Sequence, residues 1–314
     1  MAPPEDIEHF SYATPEDPRL RRLVIRAIET MTGQPYLKSL YEQHRLNPVP
    51  GESFWAAAMR NLELKIVCNQ EALARLPKTG SLVVVANHPF GVLDGLIISY
   101  LISQVRDDFL VLTNSILYQA EEIRHYLLPI DFAETKEALN TNLKSRAAAK
   151  AHLLRGGLLV VFPAGGASTA PKPWSKRAVD PEWKNFTARL ITSAKAPVVP
   201  VYFAGQNSRL FQIASHISMT LRLSLFFKEV YDKIGSELHV RIGEVIPYAE
   251  LPSLDRTKLM EHLRSATYKL GASIPYRKIR GRRPSRGPGP GRKTAALCRP
   301  RPSRVFLFDL QRMD

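Results

Sequence analysis

Residues 81–95 read Ser-Leu-Val-Val-Val-Ala-Asn-His-Pro-Phe-Gly-Val-Leu-Asp-Gly. The apolar run Leu82 to Ala86 has the length and β-branched content of a buried strand. Pro89 and Gly91 break it and predict a turn. His88 then falls at the C-terminal edge of a sheet, where open α/β sheets place their ligands. Asp94 lies six positions on, within reach of one imidazole nitrogen. The other nitrogen is left free to take a proton, which makes His88 and Asp94 a candidate general-base pair. The plainer alternative is a polar turn held by local hydrogen bonds. Of the eight histidines, only His88 follows a strand directly, precedes a Pro/Gly turn and has an acid in reach.

Two further junctions have the same form. Leu158 to Phe162 is a short apolar run cut by Pro163 and followed by Gly165 and Gly166. Small residues there let backbone N–H groups approach a phosphate or an oxyanion. A third run, Val198 to Phe203, ends at Gly205-Gln206-Asn207-Ser208.

Outward from these junctions, strands alternate with helices. The spacing predicts two helices in 17–45 and a third in 52–61. A short strand follows at 64–67, the strand 81–86, a helix over 93–104 and a strand over 109–113. Helices are expected at 115–127 and 134–154, and the strand at 158–162. A helix over 181–194 opens on Asp180-Pro181 as cap and first-turn proline. After the strand 198–203 comes a helical stretch, 208–234, broken near Ser218. A strand at 239–242 and a helix at 255–270 complete the series. This order predicts a single α/β domain with a largely parallel sheet flanked by helices. The N-terminal helices either pack on the core or lie on a membrane surface, the latter favoured by Arg21, Arg22 and Trp55.

The chain has 314 residues, 45% of them apolar, and a net charge of +15. Twelve Lys/Arg and two acids fall in 277–314, against 32 and 27 in the preceding 276 residues, so the tail carries most of the charge. Its Arg/Pro/Gly-rich composition predicts disorder and a boundary near 277. Such a tail suits anionic lipid, nucleic acid or no specific partner. No run approaches the roughly 18 apolar residues of a membrane span. No signal peptide is expected. Cys68 and Cys298 lack metal-ligand spacing, which points to a reducing compartment. No Gly-x-Ser-x-Gly elbow, Walker loop, dinucleotide fingerprint or metal motif is present.

Taken together, Asn87-His88-Pro89 with Asp94, Phe162-Pro163-Ala164-Gly165 and Ala196 to Val201 resemble the first, third and fourth motifs of the glycerolipid (lysophospholipid) acyltransferase superfamily. The finer resemblance is to a bacterial branch that bears a hemolysin label and includes acyltransferases making ornithine lipids. That branch carries Asn-His-Pro-Phe-Gly-x-x-Asp-Gly and a stretch similar to Tyr202 to Phe211. The resemblance covers roughly residues 15–275. It divides the chain into an N-terminal helical segment, 1–62, an acyltransferase domain, 63–276, and the tail, 277–314.

This resemblance implies an O-acyltransferase that moves a fatty acyl group from acyl-carrier protein or acyl-coenzyme A to the hydroxyl of a lyso-lipid, with lyso-ornithine lipid as one candidate. It implies no cofactor, no metal and no nucleic acid. It also implies a membrane surface as partner and a peripheral position at the inner, cytoplasmic face of the cell membrane. His88 and Asp94 would be catalytic. Asn87, Pro89, Phe90, Gly91, Phe162, Pro163, Gly165, Gly166, Lys172 and Arg177 would contact substrate, the two basic residues meeting a phosphate-bearing donor.

Three departures from the pattern stand out. Five residues separate His88 from Asp94 where four are usual. Ala164 replaces a glutamate. The second motif, which supplies an arginine for an acceptor phosphate, is not recognisable in 109–132, with Arg124 the nearest candidate. These departures favour a neutral-to-zwitterionic lyso-lipid over lysophosphatidic acid. A 1-acylglycerol-3-phosphate acyltransferase is the alternative. A basic membrane- or nucleic-acid-binding protein acting through its tail is the rival of another class. A pore-forming lysin finds no long amphipathic segment to support it.

Overall fold

The computed structural model describes residues 11, 13, 18–114, 121–131, 135–251 and 255–273. The boundary expected near 277, the tail and Cys298 lie outside the described residues. Seven strands form one sheet in the order β1-β7-β6-β2-β5-β3-β4. They are β1 (Lys65–Val67), β2 (Leu82–Ala86), β3 (Phe109–Asn114), β4 (Leu127–Ile130), β5 (Leu158–Val161), β6 (Val198–Phe203) and β7 (Glu237–Ile242). The five strands from β6 to β4 run parallel. Only β7, with β1 alongside it, is reversed.

Helices cover both faces, as a buried parallel sheet requires. Leu82, Val84 and Ala86 face a cluster that includes Trp55 and Met59 of α3 (Phe54–Asn61) and Ile97, Ile98 and Leu101 of α5 (Val92–Ser103). Leu37 of α2 (Gln34–Leu46) joins the same cluster, as do Ala72 and Leu73 of α4 (Gln70–Ala74). Val83 and Val85 face the other way. They meet Ala149 and Leu153 of α6 (Lys136–Leu154), Ile191 of α7 (Phe186–Ala194) and Leu263 of α11 (Arg256–Leu270). Each strand side chain so buried contributes about 1.5–3 kcal/mol.

A third, smaller cluster covers the carboxyl edge of the sheet. It joins Ile28 of α1 (Arg19–Met31), Phe211 and Ala214 of α8 (Arg209–Ile217), Leu221 of α9 (Met219–Ser224) and Phe226 of α10 (Phe226–Tyr231) to Ala167.

Four expectations need correction. First, residues 121–126 form a 3₁₀ turn rather than the end of a helix, and Leu127–Ile130 is a strand. Pro129 concealed it, and β4 accommodates a proline because it is the edge strand. Residues 115–120 lie outside the described set. Second, no helix starts at Asp180-Pro181. Helix α7 begins at Phe186, because the Asp180 carboxylate is engaged elsewhere. Third, the 208–234 stretch is three helices broken at Ser218 and again at Leu225. Fourth, Trp55 is no membrane residue: it is 3% exposed and packs against Phe109 and Tyr126. The exposed apolar residues of the N-terminal helices are instead Leu20, Leu23 and Met31 of α1 and Leu46 of α2.

The amino edge of the sheet is tied by one side chain. Arg106 is 6% exposed and grips Asp108 with two nitrogens. It also donates to the carbonyls of Pro77, Gly80 and Gly156, which precede β2 and β5. Replacing it by alanine strands three carbonyls with no donor. Arg106→Ala should lower stability by about 3 kcal/mol in urea unfolding, yet leave any activity of the folded fraction unchanged, since the opposite edge is untouched.

Candidate active site

The strands β2, β5 and β6 end side by side at the carboxyl edge, and the loops after them meet there. Asn87 closes the end of β2. Its side-chain amide donates to the Phe203 carbonyl and accepts from the Phe203 N–H, so it extends the β2–β6 ladder by one rung. The chain then turns away at His88, free to leave the sheet.

Gly91 makes that turn. Its φ is +75°, and a Cβ there would stand 2.5 Å from Phe226 Cε1, so no other residue fits. Helix α5 begins at the next residue. Asp94 therefore falls in its first turn, where its Oδ2 accepts the N–H groups of Phe90 and Gly91 at 2.8 and 2.9 Å. A carboxylate at a helix start is favoured by both the free amides and the dipole. The same Oδ2 lies 3.0 Å from His88 Nδ1, in a bent approach. The five intervening residues thus still bring acid and imidazole together.

Asp94 is fully buried, and burial raises its pKa while His88 and the two amides pull it back down. Its Oδ1 is buried without a hydrogen bond. Beneath the turn lies Lys233, buried, with its Nζ 5.0 Å from the Phe90 ring and 3.6 Å from Glu229. Burial lowers its pKa against the pull of Glu229, Asp232 and Asp94.

His88 itself is 18% exposed. Its ring stacks on Phe162 at 4.2 Å between centroids, and its Nε2 makes no hydrogen bond to a described residue. The backbone is clamped at both polar groups. Its N–H donates to Asp180 Oδ1 at 3.1 Å, and its carbonyl accepts from the Ser168 N–H at 2.7 Å. Asp180 is 2% exposed. It also accepts from Ser168 Oγ and from Trp183 Nε1. Its own N–H donates to Tyr268 Oη, and Arg264 donates to its carbonyl. Nothing in the sequence around 180 marks this role. The local pattern reads as a helix cap.

The loop after β5 sits opposite His88. Gly165, with φ +70°, donates its N–H to the Phe162 carbonyl. That amide closes a turn and is not offered to a ligand. The Gly166 and Ala167 amides have no partner among the described residues. Phe162, Gly165 and Gly166 are partly exposed at the site, whereas Asn87, Pro89, Phe90, Gly91 and Pro163 are buried and shape it from below. Ala164 is buried in the second core cluster, where a glutamate would be desolvated.

Lys172 and Arg177 are exposed on a loop that leaves and rejoins through the Thr169–Val179 bridge. This loop is fastened through its backbone by Gln206, Arg209, Gln212 and His216. Arg124 lies in the 3₁₀ turn between β3 and β4, with a guanidinium nitrogen 4.0 Å from Glu121. Among the described residues there is no cluster of His, Cys, Asp and Glu suited to a metal ion.

A family model described as Acyltransferase matches residues 26–276. The chain is 26% identical over 253 residues to a lyso-glycine lipid O-acyltransferase of Bacteroides thetaiotaomicron, covering 75% of this chain and 88% of the relative. It is likewise 26% identical over 256 residues to a lyso-glycine lipid O-acyltransferase of Phocaeicola vulgatus, covering 75% and 86%. Among solved structures, the 1-acyl-sn-glycerophosphate (LPA) acyltransferase PlsC from Thermotoga maritima is similar at 15% identity and a TM-score of 0.43, over 82% of this chain and 99% of that one.

Asp180→Ala should cost about 3 kcal/mol in urea unfolding, because it leaves three buried donors unpaired. Asp180→Asn should cost less, since one oxygen remains as acceptor.

Proposed function

The chain belongs to the acyltransferase family, and we propose that it transfers a fatty acyl group from a thioester to the hydroxyl of a lyso-lipid, with His88 as general base. The observation that carries this reading is the 3.0 Å approach of His88 Nδ1 to a buried, helix-capping Asp94, with Nε2 left unengaged. Asp94 favours the proton on Nδ1, so the lone pair sits on Nε2. His88 Nε2 removes the hydroxyl proton as the acceptor oxygen attacks the thioester carbonyl. The C–S bond then breaks, and the thiolate takes the proton back from the imidazolium. Asp94 stabilises that cation through the cycle. The unpaired Gly166 N–H is the candidate donor to the tetrahedral oxyanion, a contribution of about 3 kcal/mol where the alignment is good.

The donor is acyl-carrier protein or acyl-coenzyme A, and Lys172 and Arg177 are the residues proposed to meet its phosphate. The acceptor is an amino-acid lyso-lipid, such as a lyso-ornithine or lyso-glycine lipid. Three points support it. The one arginine of 109–132, Arg124, lies in the turn before β4 beside Glu121, residue 164 is a buried alanine, and the two relatives are named for a lyso-glycine lipid. Among the described residues no helix is long and apolar enough to cross a membrane. Contact with the inner face of the cell membrane would be peripheral. We assign that contact to α1, whose exposed Leu20, Leu23 and Met31 lie among Arg19, Arg22 and Arg26.

His88→Ala should fold and lose about 10²–10⁴-fold in turnover, the usual contribution of a general base. Asp94→Asn should lose less activity. Its fold should be at least as stable as the parent at neutral pH. Burial raises the Asp94 pKa, so the carboxylate's stability penalty is absent in acid and grows as pH rises through the folded value. Urea midpoints at pH 5 and pH 8 measure this. Near-native turnover in folded His88→Ala would remove the mechanism. Side-by-side assays with lyso-ornithine lipid, lyso-glycine lipid and lysophosphatidic acid decide the acceptor, and a strong preference for lysophosphatidic acid would overturn it.

A further inference from the structure

Arg222 is half-buried and differs from the two buried cations, Arg106 and Lys233. Arg106 has Asp108, and Lys233 has Glu229. Arg222 has no acidic partner among the described residues: partial burial alone acts on its guanidinium and lowers its pKa, with no carboxylate opposing. A partly desolvated charge without a counter-ion carries a cost that an anionic ligand would relieve. The known contacts of Arg222 are neutral. It donates to Thr169 Oγ1 at 2.8 Å and to the Ala167 carbonyl at 2.6 Å, and it lies 5.4 Å from the Phe211 ring. A guanidinium has five N–H donors, so these bonds leave several unused.

Its place matters as much as its charge. One NH2 nitrogen stands 3.8 Å from where a Cβ on Gly166 would be. Ala167, to which it bonds, precedes Ser168, whose N–H holds the His88 carbonyl. One helical turn further on, Phe226 fills the space beside Gly91. The cation therefore borders the same glycine loop that flanks His88. No motif marks it in the sequence, because it arrives from α9, beyond the third junction.

We propose that Arg222 binds the oxyanionic headgroup, carboxylate or phosphate, of the lyso-lipid acceptor and so presents the acceptor hydroxyl to His88. This rests on the acyl-transfer reading above. An N-acylated amino acid keeps its carboxylate, so an amino-acid lyso-lipid satisfies Arg222 without the arginine that a phosphate-binding second motif would supply. Gly166 leaves room beside the guanidinium: a Cβ there would already stand in contact with its terminal nitrogen.

The full-length protein is assayed with an N-(3-hydroxyacyl)glycine, its methyl ester and lysophosphatidic acid, using acyl-coenzyme A and acyl-carrier protein in turn as donor. The parent protein should use the free acid at least about tenfold better than the ester in kcat/KM. Arg222→Gln should raise KM for the acid by about 10- to 100-fold, with kcat little changed and the ester unaffected. Gly166→Ala, whose methyl meets only Arg222 at ordinary contact distance, should fold and raise KM for the acid in the same direction. It keeps the test decisive should Arg222→Gln fail to fold. The lower KM of acid or lysophosphatidic acid names the anion. Equal use of acid and ester by the parent, or an equal loss on both in Arg222→Gln, would overturn the proposal while the acyl-transfer reading stands. Failure to acylate any of the three would overturn both.

Discussion

The reactive turn depends on a carboxylate that arrives from 92 residues downstream. Asp180 holds the His88 N–H, the Ser168 hydroxyl and the Trp183 indole at once. Through Ser168 it also fixes the loop that bonds the His88 carbonyl. Without it the two loops that face each other across the site would keep only the Ser168–His88 backbone bond and the stacking of His88 on Phe162 between them. A buried carboxylate offsets its desolvation through the donors it engages, and here three are in place, backbone, hydroxyl and indole, none of them charged. The result is a rigid frame around a histidine whose own ring remains partly open.

Much of this arrangement was legible in the chain. Three apolar runs of four to six residues, each cut by Pro or Gly, identified the strands that end at the site, because a buried parallel strand leaves no other pattern. His88 and Asp94 stood out for the same reason: a turn and a helix start bring residues close whatever lies elsewhere. What stayed hidden was set by distant contacts. Asp180 resembles a cap until Ser168 and His88 fold against it. Trp55 sits on an amphipathic helix, and helical spacing cannot tell a core face from a membrane face. Arg222 lies in a stretch with no motif, and only its burial beside Gly166 makes it noticeable.

The two edges of the sheet divide their labour. At the amino edge, Arg106 satisfies backbone carbonyls and a neighbouring acid, so its charge is answered within the protein. At the carboxyl edge, among the described residues, the Gly166 amide and the His88 Nε2 have no partner, and the Arg222 guanidinium is bonded only to neutral oxygens. Each end has its own buried clamp, but the unsatisfied polarity lies at the carboxyl edge.

The reach from His88 to Asp180 also orders events in time. Contacts between residues far apart in the chain form late, because the intervening loop must close first. Strand β2 and helix α5 are local and can assemble early, bringing His88 beside Asp94. The clamp on His88 cannot exist until β5 has paired and the segment up to 180 has been synthesised. A nascent or partly folded chain therefore carries the histidine and its acid but not the frame that aims them. The histidine is therefore held in its final orientation only once the segment that carries Ser168 and Asp180 has joined the sheet edge.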